Sequence, residues 1–165
     1  MDSREQDALN FSEFIEVKEI VQDGLRFGDY GALYQLQNGV ECKSPVFFER
    51  KSIPDLFGTL TDESRIERLK SRCREAMEVN AKLILMIEGT DRKVMDGYER
   101  SKVKGSSILK TIDTFWYKYD LMPMFCADRR VMAWRMVNLW KTFRRLYQLG
   151  ESGRDRSGDH DTMHR

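Results

Sequence analysis

Hydrophobic positions along this chain follow two regimes. Up to about residue 54 they alternate or form short runs; from Leu56 onward they mostly recur every three or four residues. Residues 1–14 carry Leu9, Phe11 and Phe14 without a clean period and read as a loop that packs a few aromatics. Glu16 to Val21 alternates weakly and predicts a strand; after the turn residues Asp23 and Gly24, Ala32 to Leu36 predicts another. Asn38-Gly39 is a strong hairpin signal, so this strand is expected to turn back antiparallel into Val40 and on toward Val46 to Lys51. Leu56, Phe57 and Leu60 form one short helical face, and Ile66, Leu69, Cys73, Ala76 and Met77 a second, with Asn80 as a helix end. Leu83 to Ile87 is a continuous apolar run that suits a central strand covered on both faces.

Residues 90–105 are charged and irregular and read as a loop. Ser106 or Ser107 is expected to cap a helix with Ile108, Leu109, Ile112, Phe115, Trp116 and Tyr119 on its apolar face. Leu121 to Cys126 predicts a short strand near a sheet edge, because Pro123 lacks a donor. Asp128 then caps a helix through Leu149, striped with Met132, Ala133, Met136, Val137, Trp140, Phe143 and Tyr147. Gly150 is expected to end it, leaving 150–165 as a disordered polar tail. This order predicts an α/β domain over 1–149, a mixed central sheet flanked by helices.

One junction stands out in that pattern. The apolar run Val46-Phe47-Phe48 ends in Glu49-Arg50-Lys51, where an unpaired charge is costly. Strand alternation puts Glu49 and Lys51 on one side and Arg50 on the other. Ser52 can cap the next helix, with Pro54 in its first turn and Asp55 near its positive end. A carboxylate and an ammonium projecting together from a buried strand can hold a divalent metal and position a water. The hairpin would bring Asp29, in Gly28-Asp29, to the same end as Glu49, and Glu88 lies where it could join them. The plainer alternatives are a solvated strand end for the triplet and for Glu88, and a simple turn for Gly-Asp.

Composition narrows the chemistry. A 165-residue chain can bury a real core, and a formal net charge of +1 means that any nucleic-acid contact must come from a local basic patch. Arg100, Lys102 and Lys104 are candidates for such a patch, with a solvated loop as the alternative. Cys42, Cys73 and Cys126 lack the paired spacing of a zinc site and read as reduced thiols of a cytosolic protein. Trp116, Trp134 and Trp140 read as core or dimer contacts rather than base-stacking platforms. His160 and His164 both fall in the polar tail, which argues against histidine-based triads. No window approaches the roughly 18 apolar residues of a membrane span, and Met1-Asp2-Ser3-Arg4-Glu5 is unlike a signal peptide, so the expected location is cytoplasmic rather than secreted.

Gly28-Asp29-Tyr30, then Glu49-Arg50-Lys51 and Asp55, resembles the GD…ERKxxxD signature of the XPF-type structure-specific endonucleases, which include the archaeal Hef nuclease. The likeness continues through Ser52-Ile53-Pro54-Asp55-Leu56-Phe57-Gly58-Thr59-Leu60. It also reaches back to Asp2-Ser3-Arg4-Glu5-Gln6, similar to the family's D-x-R-E element, and spans Asp2 to about Leu149. Short versions beginning with such an element resemble those of bacteria and their phages.

The resemblance implies a restriction-endonuclease-like fold and metal-dependent cleavage of DNA near branches or junctions. It implies Asp2, Asp29 and Glu49 as ligands for Mg²⁺ or Mn²⁺, Lys51 orienting or activating water, and Arg4 near the scissile region. Arg50 would stabilise local structure, and Asp55 would orient Lys51 or the helix. A homodimer is also implied, with a separate DNA-targeting or recombination partner as a further possibility. Only Met1 precedes Asp2 where the family has a strand, so either a start upstream or a lost edge strand is expected. The connection from Asp29 to Glu49 is longer than in eukaryotic members, and nothing after Leu149 can form a tandem helix-hairpin-helix domain. The alternatives are a nuclease of the same fold without branch selectivity, and a non-catalytic scaffold, which would be expected to lose its acids and lysine.

Overall fold

The computed structural model describes residues 1, 8–15, 17, 19–20, 24–35 and 39–157, with 147–157 described by backbone alone. Its centre is a parallel sheet of β3 (Val46–Ser52), β4 (Lys82–Glu88) and β5 (Met122–Cys126), in that spatial order. The register runs from Val46 opposite Lys82 to Ser52 opposite Glu88, and from Ile84 opposite Met122 to Glu88 opposite Cys126. The uninterrupted apolar run of β4 occupies the middle and is buried from Leu83 to Ile87. Pro123 lies in the outer strand β5, where a missing donor costs least.

Alternation divides the sheet into two faces. Leu83, Leu85 and Ile87 pack with Leu56, Phe57, Leu69, Cys73, Ile108, Ile112 and Phe115. These come from α1 (Ile53–Leu60), α2 (Glu63–Glu78) and α4 (Gly105–Tyr119). On the other face Val46, Phe48, Ile84 and Met86 meet Met132, Ala133, Met136 and Val137 of α5 (Arg129–Ser157), together with Leu9 and Phe11. Trp140 completes this second core, its indole N–H donating to the Val46 carbonyl at 3.1 Å. Trp116 and Trp134 are instead exposed on α4 and α5.

Several expectations are corrected. The hairpin forms, with β1 (Leu33–Gln35) antiparallel to β2 (Glu41–Lys43), but as its own two-stranded sheet. Ser44 breaks the continuation: its N–H donates to the Ala32 carbonyl and its hydroxyl accepts from the Val46 N–H, which bends the chain before β3 begins. Residues 90–105 include a short helix, α3 (Asp91–Asp96), capped by the Thr90 hydroxyl and anchored by buried Val94. Helix α4 starts at Gly105, ahead of the serines expected to cap it, with Lys104 at the N-cap. A Cβ on Gly105 would lie 1.9 Å from the Val94 carbonyl oxygen, so the start of α4 rests on the backbone of α3 as only glycine allows.

Helix α5 does begin after Asp128, which accepts from the Val131 N–H, but it continues past Gly150 to Ser157. A glycine costs a helix about 1 kcal/mol, which need not end it. Of the strand expected over 16–21, positions 16, 18 and 21 lie outside the described residues, and Val17, Glu19 and Ile20 are not in a strand. Asp2, Arg4, Asn38, His160 and His164 also lie outside the described residues. Among the described residues, no helix is long and apolar enough to cross a membrane.

Candidate active site

The site is built on the C-terminal half of β3. Glu49 is only 3 % exposed, yet both of its carboxylate oxygens have cationic partners. Lys51 Nζ donates to Oε1 at 2.6 Å, and Arg72 of α2 donates to Oε2 at 3.1 Å. Lys51 also donates to the Arg50 carbonyl at 3.3 Å, which ties its ammonium to its own strand. Burying a carboxylate demands such compensation, and charge-assisted hydrogen bonds provide it. On the opposite face Arg50 pairs with Glu88 at 2.9 Å. Three consecutive residues thus serve both faces of the sheet, as strand alternation requires.

Asp29 reaches the site along the outer edge of β3. The Asp29 and Tyr30 N–H groups both donate to the Phe48 carbonyl, at 2.7 and 3.1 Å, and Phe48 N–H donates to the Tyr30 carbonyl. One step further along, an Asp29 carboxylate oxygen accepts from the Arg50 N–H at 2.8 Å. Gly28 makes this approach possible. Its φ is +61°, and a Cβ there would sit 2.5 Å from the Phe48 carbonyl oxygen. The Gly-Asp pair is therefore a docking element for β3 rather than a free turn.

Asp55 has a different position. Its carboxylate accepts from the Ser52 hydroxyl at 2.7 Å, while the Ser52 oxygen caps α1 by accepting the Asp55 N–H at 3.3 Å. It organises the helix start, and its hydrogen bonds run to Ser52 rather than to Lys51. Arg100, Lys102 and Lys104 are exposed, and Lys102 and Lys104, but not Arg100, line an open concavity between α3 and α4. Tyr98, just before them, packs on Phe57 of α1, ring centroids 5.9 Å apart.

Arg72 is the participant that sequence reasoning missed. It lies 23 residues beyond Glu49, at a charged position between the apolar ones of its helix. The available signal was its place beside buried Cys73 and three positions after buried Leu69, at the margin of the apolar stripe. Cys73 lies close enough to feel Glu49. Burial first, and the Glu49 charge second, push its thiol up to about 12.

Asp29 and Glu49 offer hard carboxylate oxygens, the donor type that Mg²⁺ and Mn²⁺ prefer. The two cations already gathered on Glu49 show that its surroundings accommodate positive charge. In donor chemistry the residues fit a divalent ion. Among the described residues, no group of three or more His, Cys, Asp or Glu side chains forms a ready metal cluster.

The ERCC4 domain family matches residues 1–131, most of the chain and all of the site just described. The chain belongs to the ERCC4 domain family. This is a family of structure-specific DNA endonucleases, generally nucleases and typically dependent on a divalent metal. XPF from Aeropyrum pernix has a similar fold: 19 % identity, a TM-score of 0.62, and 90 % of this chain covering 67 % of that one. The ERCC4 fold of this chain is accordingly restriction-endonuclease-like. A search of curated proteins found no match. XPF-family nucleases bind DNA, and XPF homologues often dimerise.

Proposed function

We propose that this ERCC4 domain is a divalent-metal-dependent endonuclease that cuts branched, flapped or junction DNA in recombination or repair, and that it works as a homodimer in the cytoplasm. The supporting observation is the buried Glu49 carboxylate held by Lys51, one residue from the strand edge where the Asp29 carboxylate docks. Asp29 and Glu49 would hold Mg²⁺ or Mn²⁺, with Asp2 as a further ligand. The ion, when bound, lowers the pKa of a coordinated water and neutralises charge developing on the phosphate. Lys51 holds a positive charge on the metal-ligand face, where it can orient an attacking water or meet a phosphate oxygen. Arg50, paired to Glu88 behind the strand, fixes the strand that carries both. Arg4, Arg100, Lys102 and Lys104 are assigned to the DNA backbone, and a separate partner is assigned any targeting that this domain lacks.

The test is cleavage of labelled flap, fork, four-way-junction and linear duplex DNA with Mg²⁺ or Mn²⁺, comparing the chain with Glu49→Gln and Lys51→Met. Metal-dependent cutting that favours branched DNA and falls about 100-fold or more in both variants is expected. Equal cutting of linear duplex would point to an unselective nuclease. DNA binding without cutting under any metal would point to a scaffold.

A further inference from the structure

Resting on that reading of Glu49, we propose that Arg72 is a positioning residue that competes with the divalent cation for Oε2 of Glu49 and yields it when the ion binds. The two cations on Glu49 are not equivalent. Lys51 is 18 % exposed, makes the shorter contact and has a second acceptor in the Arg50 carbonyl. Arg72 is 38 % exposed, makes the longer contact at 3.1 Å and comes from a different element, α2. The less buried, more weakly held partner is the one that a doubly charged ion displaces first. A guanidinium and a divalent ion drawn to the same carboxylate oxygen repel one another, which is the physical basis of the competition.

The arrangement keeps Glu49 compensated at every stage. Before the ion arrives, Arg72 fixes the carboxylate in place; afterwards, the guanidinium is left at the rim of the site, where its planar donors suit a phosphate. Arg72 thus differs from Lys51, which stays on the strand throughout.

The experiment follows Mn²⁺ binding by calorimetry and by thermal melting, with no DNA present, for the unaltered chain, Arg72→Gln and Arg72→Lys. Arg72→Gln is expected to melt lower without metal, to bind Mn²⁺ about fivefold more tightly, and to gain more from it on melting. Arg72→Lys, which keeps the charge, is expected to bind Mn²⁺ like the unaltered chain. If Arg72→Gln binds Mn²⁺ equally or more weakly while the unaltered chain binds it, competition is refuted and Arg72 is a structural counter-ion. If Mn²⁺ binds none of the three, the metal reading of Glu49 fails, and the competition with it.

Discussion

Glu49 and Arg50 are adjacent in sequence, yet each is neutralised on its own face of β3. Glu88→Ala removes one partner of the Arg50 guanidinium, a group that is only 10 % exposed beside an apolar core. A loss of about 2 kcal/mol in urea unfolding is expected, below the cost for a fully buried pair because Glu88 is 27 % exposed. The cysteines give a second residue-scale prediction. Burial raises the thiols of both Cys73 and Cys126, while Cys42 is only partly buried. At pH 8 a disulfide reagent is expected to modify Cys42 in the native protein and the other two only after unfolding; rapid native modification of Cys73 would contradict this. The raised Cys73 value also sets a sign. Between its ordinary value of 9.0 and about 12, the unfolded chain releases a proton that the native chain keeps, so stability falls as pH rises through that window.

At the scale of elements, two starts of helices carry testable weight. Ser52→Ala removes the cap of α1 and the anchor of Asp55, and is expected to cost about 1 kcal/mol in thermal or urea unfolding. Gly105→Ala places a methyl against the backbone of α3 and is expected to cost about 3 kcal/mol or more, or to prevent folding; a neutral outcome would show that α3 shifts freely. These examples also show what local pattern can convey. Ser52, Asp128, the apolar run of β4 and the stripe of α5 were legible because each is decided by residues a few positions apart. Helix α3 was hidden because Val94 alone supplies its buried contact. The early start of α4 was hidden because its reason, the Val94 carbonyl, belongs to another element. The sequence pattern places Asp29 near Glu49 by way of the hairpin; the structure instead docks Asp29 on β3 through Gly28 and a bridge from Tyr30 to Phe48. Arg72 was illegible for the same reason as α4: its partner is fixed by the packing of α2 on the sheet.

At the scale of the whole molecule, β5 is one of the two outer strands of the parallel sheet, and both α4 and α5 contact it. Met122 on that strand, Trp116 on α4 and Trp134 on α5 are all substantially exposed. For the proposed homodimer these exposed apolar side chains are the candidate contacts, and Trp116→Glu combined with Trp134→Glu is expected to shift a sedimenting dimer to monomer without changing its circular dichroism. A chain already monomeric at tens of micromolar would remove the dimer from the reading. The parallel sheet has one more consequence, in time rather than in energy. Every strand pairing in β3-β4-β5 joins segments separated by a helical crossover, Val46 with Lys82 and Ile84 with Met122, so no part of the sheet forms from neighbouring residues. Such long-range closure slows refolding relative to helical proteins of similar size. The helices are expected to regain their far-ultraviolet signal before Glu49 acquires its partners, so the site is among the last features the chain assembles.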